Sequence, residues 1–148
     1  MKTNKLLCAL LFAASLFSKS INAADLVVEE FGTTPAYPSI SAAISASVDG
    51  DRILIRNRAG NIPWIENITI NKSLELLSYE NDTFFVVQGT YTINSGVGRK
   101  ISIIGMKNLS GSINAGTSSG SNKTTTVNIL DCYLSNGGIY LNTVDFNT

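Results

Sequence analysis

Short strand-like runs recurring at a near-constant spacing predict an all-β fold, a parallel β-helix (solenoid) in which each turn of the coil lies on the one before. Four runs begin at Ile53, Leu74, Ile101 and Val127, with first residues 21, 27 and 26 positions apart. A second series interleaves with them: Thr69-Ile70-Asn71, Thr92-Ile93-Asn94, Ser112-Ile113-Asn114 and Tyr140-Leu141-Asn142. Its asparagines are 23, 20 and 28 positions apart. Beyond Asp51 no helical pattern of useful length interrupts these runs, so the connections are turns rich in Gly, Asn and Ser.

The chain begins with a basic stretch containing Lys2 and Lys5, followed by an apolar run from Leu6 to Phe17 and small residues at Ser18, Ser20, Ala23 and Ala24. That order predicts a secretory signal peptide over 1–23 and an extracellular or cell-surface location. The run is shorter than the ~20 residues a membrane span needs, and none of membrane length follows, so no transmembrane span is expected in the mature chain. Cleavage after Ala23 removes three lysines, leaving 8 basic residues against 11 acidic. It also removes Cys8 and leaves Cys132 without an intrachain disulfide partner.

Residues 24–51 form an N-terminal segment whose centre, 38–48, is predicted as an amphipathic helix. Ser39 is placed to cap it, and Ile40, Ala43, Ile44 and Val48 share one face at i, i+3, i+4 and i+8. Such a helix can cover the exposed edge of a first coil. Asp49-Gly50-Asp51 supplies a helix-to-strand turn and lacks the further ligand positions of a calcium loop.

Residues 52–148 then give just under four turns. Alternation sends Leu74, Leu76, Ile101, Ile103, Val127 and Ile129 inward and Glu75, Ser102 and Asn128 outward. The asparagines at 71, 94, 114 and 142 align as a column that can satisfy corner backbone groups. Tyr79, Met106 and Cys132 align as a stack of large, soft side chains. No cap follows Val144–Thr148, so either the last turn is bare or the coil continues in a longer chain.

Several chemistries are excluded. With no histidine, neither Ser-His-Asp nor Cys-His catalysis is possible, and Cys132 has no base. A net charge of zero gives no case for nucleic acid. No column holds two acids, so neither a polysaccharide-bound metal nor a carboxylate pair for glycoside hydrolysis is expected. Gly96-Val97-Gly98 lacks the third glycine and the helix of a dinucleotide site. No cofactor is expected.

Three stretches carry a resemblance: Ile40-Ser41-Ala42-Ala43-Ile44, Gly50-Asp51-Arg52-Ile53, and Glu66-Asn67-Ile68-Thr69-Ile70-Asn71-Lys72-Ser73-Leu74. Over about forty residues, Ser39 to Ser78, they resemble the start of pectin lyase-like proteins, whose fold is a right-handed parallel β-helix. The resemblance implies that handedness and an N-terminal capping helix. It leaves activity open, because the superfamily includes lyases, hydrolases, epimerases and non-catalytic surface proteins. The sequence departs at Trp64, where the family commonly has Tyr.

The expectation is a non-catalytic module that binds polysaccharide or cell-surface glycan, or supports adhesion. Trp64 is the candidate sugar-stacking platform and Arg56 and Arg58, beside Arg52, the candidate contacts to acidic glycan. Packing of Trp64 and edge protection by the arginines are the competing roles. Two other functions stay open: the N-terminal piece of a polysaccharide lyase or hydrolase with its site in later turns, and a structural spacer.

Overall fold

The computed structural model describes residues 23–116 and 124–141. The predicted signal peptide, apart from Ala23, therefore lies outside the described residues, as do Asn142 and the segment after it. No helix among the described residues is long and apolar enough to cross a membrane.

The chain is a β-solenoid of about four turns, each built from three strands. Strand β1 (Asp25–Val28) and helix α1 (Ile40–Ala46) come first. The first coil is β2 (Arg52–Ile55), β3 (Trp64–Ile65) and β4 (Ile68–Ile70), and the second is β5 (Leu74–Ser78), β6 (Phe85–Gln88) and β7 (Tyr91–Ile93). The third is β8 (Arg99–Ile104), β9 (Met106–Asn108) and β10 (Ile113–Ala115), and the fourth is β11 (Thr125–Leu130), β12 (Tyr133–Leu134) and β13 (Ile139–Leu141). They stack into three parallel sheets, β1-β2-β5-β8-β11, β3-β6-β9-β12 and β4-β7-β10-β13.

Period-two alternation builds the interior. In the first sheet Ile53, Leu76 and Ile103 share a fully buried column, and Leu74 and Ile101 another. Val127 and Ile129 extend these columns in β11 but are only partly covered, with no further rung over them among the described residues. The outward column runs Asp25, Arg52, Glu75, Ser102, Asn128, the last three as predicted.

The register differs from the sequence reading by even steps. Ile53 pairs with Leu76, two residues beyond Leu74. Asn114 pairs with Thr92, so the predicted asparagine column breaks there and Gly116 stands level with Asn94. Phe85, not Tyr79, precedes Met106 and Cys132 in their column. Tyr79 lies at the end of β5 with the Arg56 guanidinium 3.5 Å over its ring. A two-residue slip keeps every side chain on its own face, so hydrophobic alternation alone does not detect it.

Two elements were not anticipated. The first sheet begins ahead of the helix, where β1 pairs with β2 along Asp25–Val28. The whole second sheet was also missed, because its strands are two to four residues long.

Helix α1 is shorter than predicted. Ser39 caps it, its Oγ accepting from the Ala42 N–H at 3.1 Å. Ile40, Ala43 and Ile44 are buried against β1, β2 and β4. Ser47 turns extended, so Val48 falls past the helix and is exposed rather than packed.

Side chains of the first coil hold both ends of this helix. Glu66 accepts from the Ile40 and Ser41 N–H groups at 3.0 and 2.9 Å and from the Ser41 hydroxyl at 2.6 Å. Lys72 Nζ donates to the carbonyls of Ile44, Ser45 and Ser47 at 2.8, 3.1 and 2.6 Å. An anion at the start and a cation at the end satisfy the orphan backbone groups and complement the helix dipole. Asp51, almost fully buried, accepts from Ala24 and Val48 N–H groups at 2.9 and 2.7 Å, and Asp49 accepts from Ser73 N–H at 2.7 Å. Both carboxylates of the Asp49-Gly50-Asp51 turn thus bind backbone.

Candidate functional site

Trp64 starts β3 on its inward face and is only 5% exposed, its indole N–H donating to the Arg56 carbonyl at 3.0 Å. The ring therefore offers no free face for a sugar to stack on.

The arginines do not form an unpaired basic patch, since each faces a carboxylate supplied from or just after β1. Arg52 bonds both oxygens of Asp25, at 2.7 and 2.8 Å. Arg56 lies 3.3 Å from Glu29. Arg58 bonds Glu30 at 2.8 and 3.2 Å and donates to the Pro63 carbonyl at 3.3 Å, while Glu30 also accepts from Ala59 N–H. The Arg58 bond, and then the Ala59 N–H, hold the Glu30 carboxyl below the usual carboxylate range. The Arg52 fork does the same to Asp25. These pairs tie β1 and its following turn to β2.

Trp64 and Arg58 nevertheless meet in one place. With Glu30, Phe31, Pro38, Ser39, Ile65 and Glu66 they line a concavity of about 440 Å³ beside the first coil. Phe31 is its exposed aromatic, with 89% of its surface in solvent and a φ of +61°. A bulky side chain held in the left-handed region is an outlier that local packing must enforce, and such outliers cluster at functional positions. Here the turn is closed by the Gly32 N–H donating to the Glu29 carbonyl at 2.9 Å. Any Cβ on Gly32 would stand 2.8 Å from the Tyr37 carbonyl oxygen, so the turn has little room to relax.

A second concavity, about 330 Å³, continues from the first along the corner between the second and third sheets. The two share Ile65 and Glu66, and the second adds Asn67, Gln88, Gly89, Thr90, Ser110 and Gly111. Its floor follows a glycine column. Built Cβ atoms on Gly89, Gly111 and Gly137 would lie 1.9, 2.1 and 1.8 Å from the carbonyl oxygens of Glu66, Gly89 and Gly111 respectively. All three have positive φ, so only glycine lets successive rungs close there. Asn67 helps, its side-chain oxygen accepting from Thr90 N–H at 2.9 Å. Buried Asn108 donates to the Gly89 carbonyl at 2.9 Å and accepts from Ser110 N–H. The corner is thus rigid and its backbone satisfied from below.

Beside this trough the outer face of the third sheet carries one in-register column, Thr69, Thr92, Asn114 and Tyr140. The sequence reading missed Phe31, Gln88 and Ser110. The available signals were an aromatic beside glycine in a polar turn, and glycines at 89, 111 and 137 spaced like the strands.

Among the described residues, no three Cys, Asp or Glu side chains converge as a metal site. Cys132 is half-buried, and burial pushes its thiol pKa up, away from the reactive thiolate. Tyr91 is fully buried with its hydroxyl unpaired, and burial raises its pKa.

Comparison with family models, with curated proteins and with solved structures finds no match to this chain.

Proposed function

We propose that this chain is a secreted, non-catalytic, right-handed β-helix module of the pectin lyase-like kind, closed at its N-terminal end by α1. Its role is to bind an extended polysaccharide or cell-surface glycan along the trough between the second and third sheets. The observation that carries this reading is the continuity of the two concavities through Ile65 and Glu66. A linear polymer matches a linear groove that offers an aromatic platform at Phe31, then side-chain amides and hydroxyls at Asn67, Gln88, Thr90 and Ser110. The sugar contact shifts from Trp64 to Phe31, and Arg58 serves by positioning the Glu30 side of the groove.

Residues 24–148, titrated against a panel of neutral and uronate-containing polysaccharides, test the reading. Phe31→Ala, and Ser110→Trp to fill the groove, should each weaken binding about tenfold, close to 1.4 kcal/mol. Their melting temperatures should stay near wild type. Binding unchanged from wild type in both variants overturns the site, and release of shortened saccharide products overturns the non-catalytic assignment in favour of a lyase or hydrolase.

A further inference from the structure

The walls of the trough divide by charge. Its charged side chains are already engaged within the protein. Glu66 holds the start of α1 through the Ile40 and Ser41 N–H groups and the Ser41 hydroxyl. Glu30 and Arg58 bond one another, and each takes a backbone partner as well, Ala59 N–H and the Pro63 carbonyl. The uncharged polar groups of the second concavity are the reverse. Gln88 and Ser110 are exposed, and neither side chain has a hydrogen-bond partner among the described residues, nor has the Thr90 hydroxyl. Asn67 engages its oxygen with Thr90 N–H and leaves its amide nitrogen to solvent.

No cation of these walls stands open to an anion. Arg58 is the one base among the residues lining the two concavities, against two acids, Glu30 and Glu66, so the lining is net negative. Lys72 is held by three carbonyls at the end of α1. Lys107 is exposed but stands in the column of Val86 on the outer face of the second sheet, outside the lining. The column beside the trough, Thr69, Thr92, Asn114 and Tyr140, is uncharged too.

We infer, granted the glycan-binding reading above, that the trough takes a neutral polysaccharide, a chain whose residues carry hydroxyls and neither carboxylate nor sulfate. A sugar hydroxyl both donates and accepts, as do a side-chain amide and a Ser or Thr hydroxyl, so the partners match without charge. A uronate carboxylate only accepts, and its strong partner is an Arg or Lys with N–H groups to give. In this trough it would lose water, approach Glu66 and Glu30, and gain neutral donors alone. Asn67, Gln88 and Ser110 belong to three successive coils, so the polymer lies along the coil axis, over rungs ~4.8 Å apart.

Matched pairs of polymers test this: soluble β-glucan, galactomannan and amylose, each beside the same polymer with its primary alcohols oxidised to carboxylates. By titration calorimetry on residues 24–148, the neutral member of a pair should bind about tenfold more tightly than the oxidised one. Its affinity should change less than about twofold between ~50 and ~500 mM NaCl. Gln88→Arg puts an unpaired cation on the exposed wall and should bring the oxidised member to within about twofold of the neutral one. If that variant fails to fold, the wild-type pairs alone decide. Equal or tighter wild-type binding of oxidised polymers, a steep loss of binding with salt, or an unchanged preference in folded Gln88→Arg overturns the inference and leaves the groove standing. If no member of any pair binds, the glycan-binding reading itself falls, and the neutral-ligand inference with it.

Discussion

The third and fourth coils have the same strand pattern and different fates. Ile101 and Ile103 in β8 are fully buried, while their partners Val127 and Ile129 in β11 are only partly so. Nothing in the two hexapeptides accounts for that contrast. Burial in a solenoid is conferred by the neighbouring rung, so a residue's environment depends on its position in the stack more than on its own strand. The N-terminal end shows the complement. There a non-repeating helix packs against β1, β2 and β4, held by Glu66 and Lys72 of the first coil.

The largest effect expected from this contrast is a pair of charge insertions. Ile103→Asp buries an unpaired carboxylate between Leu76 and Ile129 and should abolish cooperative unfolding. Ile129→Asp should keep a cooperative transition at low protein concentration, since its carboxylate can reach solvent past the last rung. Thermal unfolding followed by circular dichroism separates the two, and equal loss in both would mean the last coil is as enclosed as the third.

Next come the corner glycines. Gly89→Ala drives a Cβ to 1.9 Å from the Glu66 carbonyl oxygen, which cannot move without displacing the residue that holds α1. A loss of about 3 kcal/mol in urea unfolding is expected. Gly137→Ala meets the Gly111 carbonyl at 1.8 Å, yet the strands on either side of it, β12 and β13, each pair with one neighbour among the described residues and can shift outward. Its cost should be less than half that of Gly89→Ala.

Lys72→Met keeps the aliphatic stem and removes three bonds to helix carbonyls, with an expected cost of ~1–2 kcal/mol. Amide exchange should report faster opening in α1 and no change in β11 to β13. Uniform acceleration along the coil would show that α1 is not a separately fastened element.

The smallest effect is a pH dependence confined to the N-terminal end. Glu30 and Asp25 are held below their ordinary values, first by their arginine partners. Carboxylates depressed in the folded state stabilise fully above their unfolded pKa values, and that contribution is lost as pH falls through the lower folded values. Acid titration below about pH 4.5 should therefore loosen β1 and the Phe31 turn before the third coil. Asp25 is exposed and Glu30 only partly covered, so the shift in melting temperature should be slight, and Arg58→Met should remove the larger part of Glu30's share while leaving Asp25's.

Much of the coil was legible from residue patterns because it depends on local rules. Alternation identified the inward residues of β5, β8 and β11, and Ser39 with Ile40, Ala43 and Ile44 located α1. The second sheet was not legible, since strands such as Trp64–Ile65 and Tyr133–Leu134 are too short for any period to register. The contact residues were only half legible. Trp64 and Arg58 do line a concavity, but the sequence held no sign that the indole would face inward or that Glu30 would engage Arg58 from 28 positions away.

What the sequence by itself determined is therefore the strand-forming segments, their inward faces, the repeat, and the absence of histidine chemistry, all set by composition and by spacing along the chain. Only the tertiary structure decided the register, the glycine column, the pairing of the arginines and the trough beside Phe31. The physical reason is that strand alternation has a period of two, so even slips leave hydrophobic burial unchanged. The choice among them falls to corner turns in which backbone meets backbone, contacts between residues more than twenty positions apart.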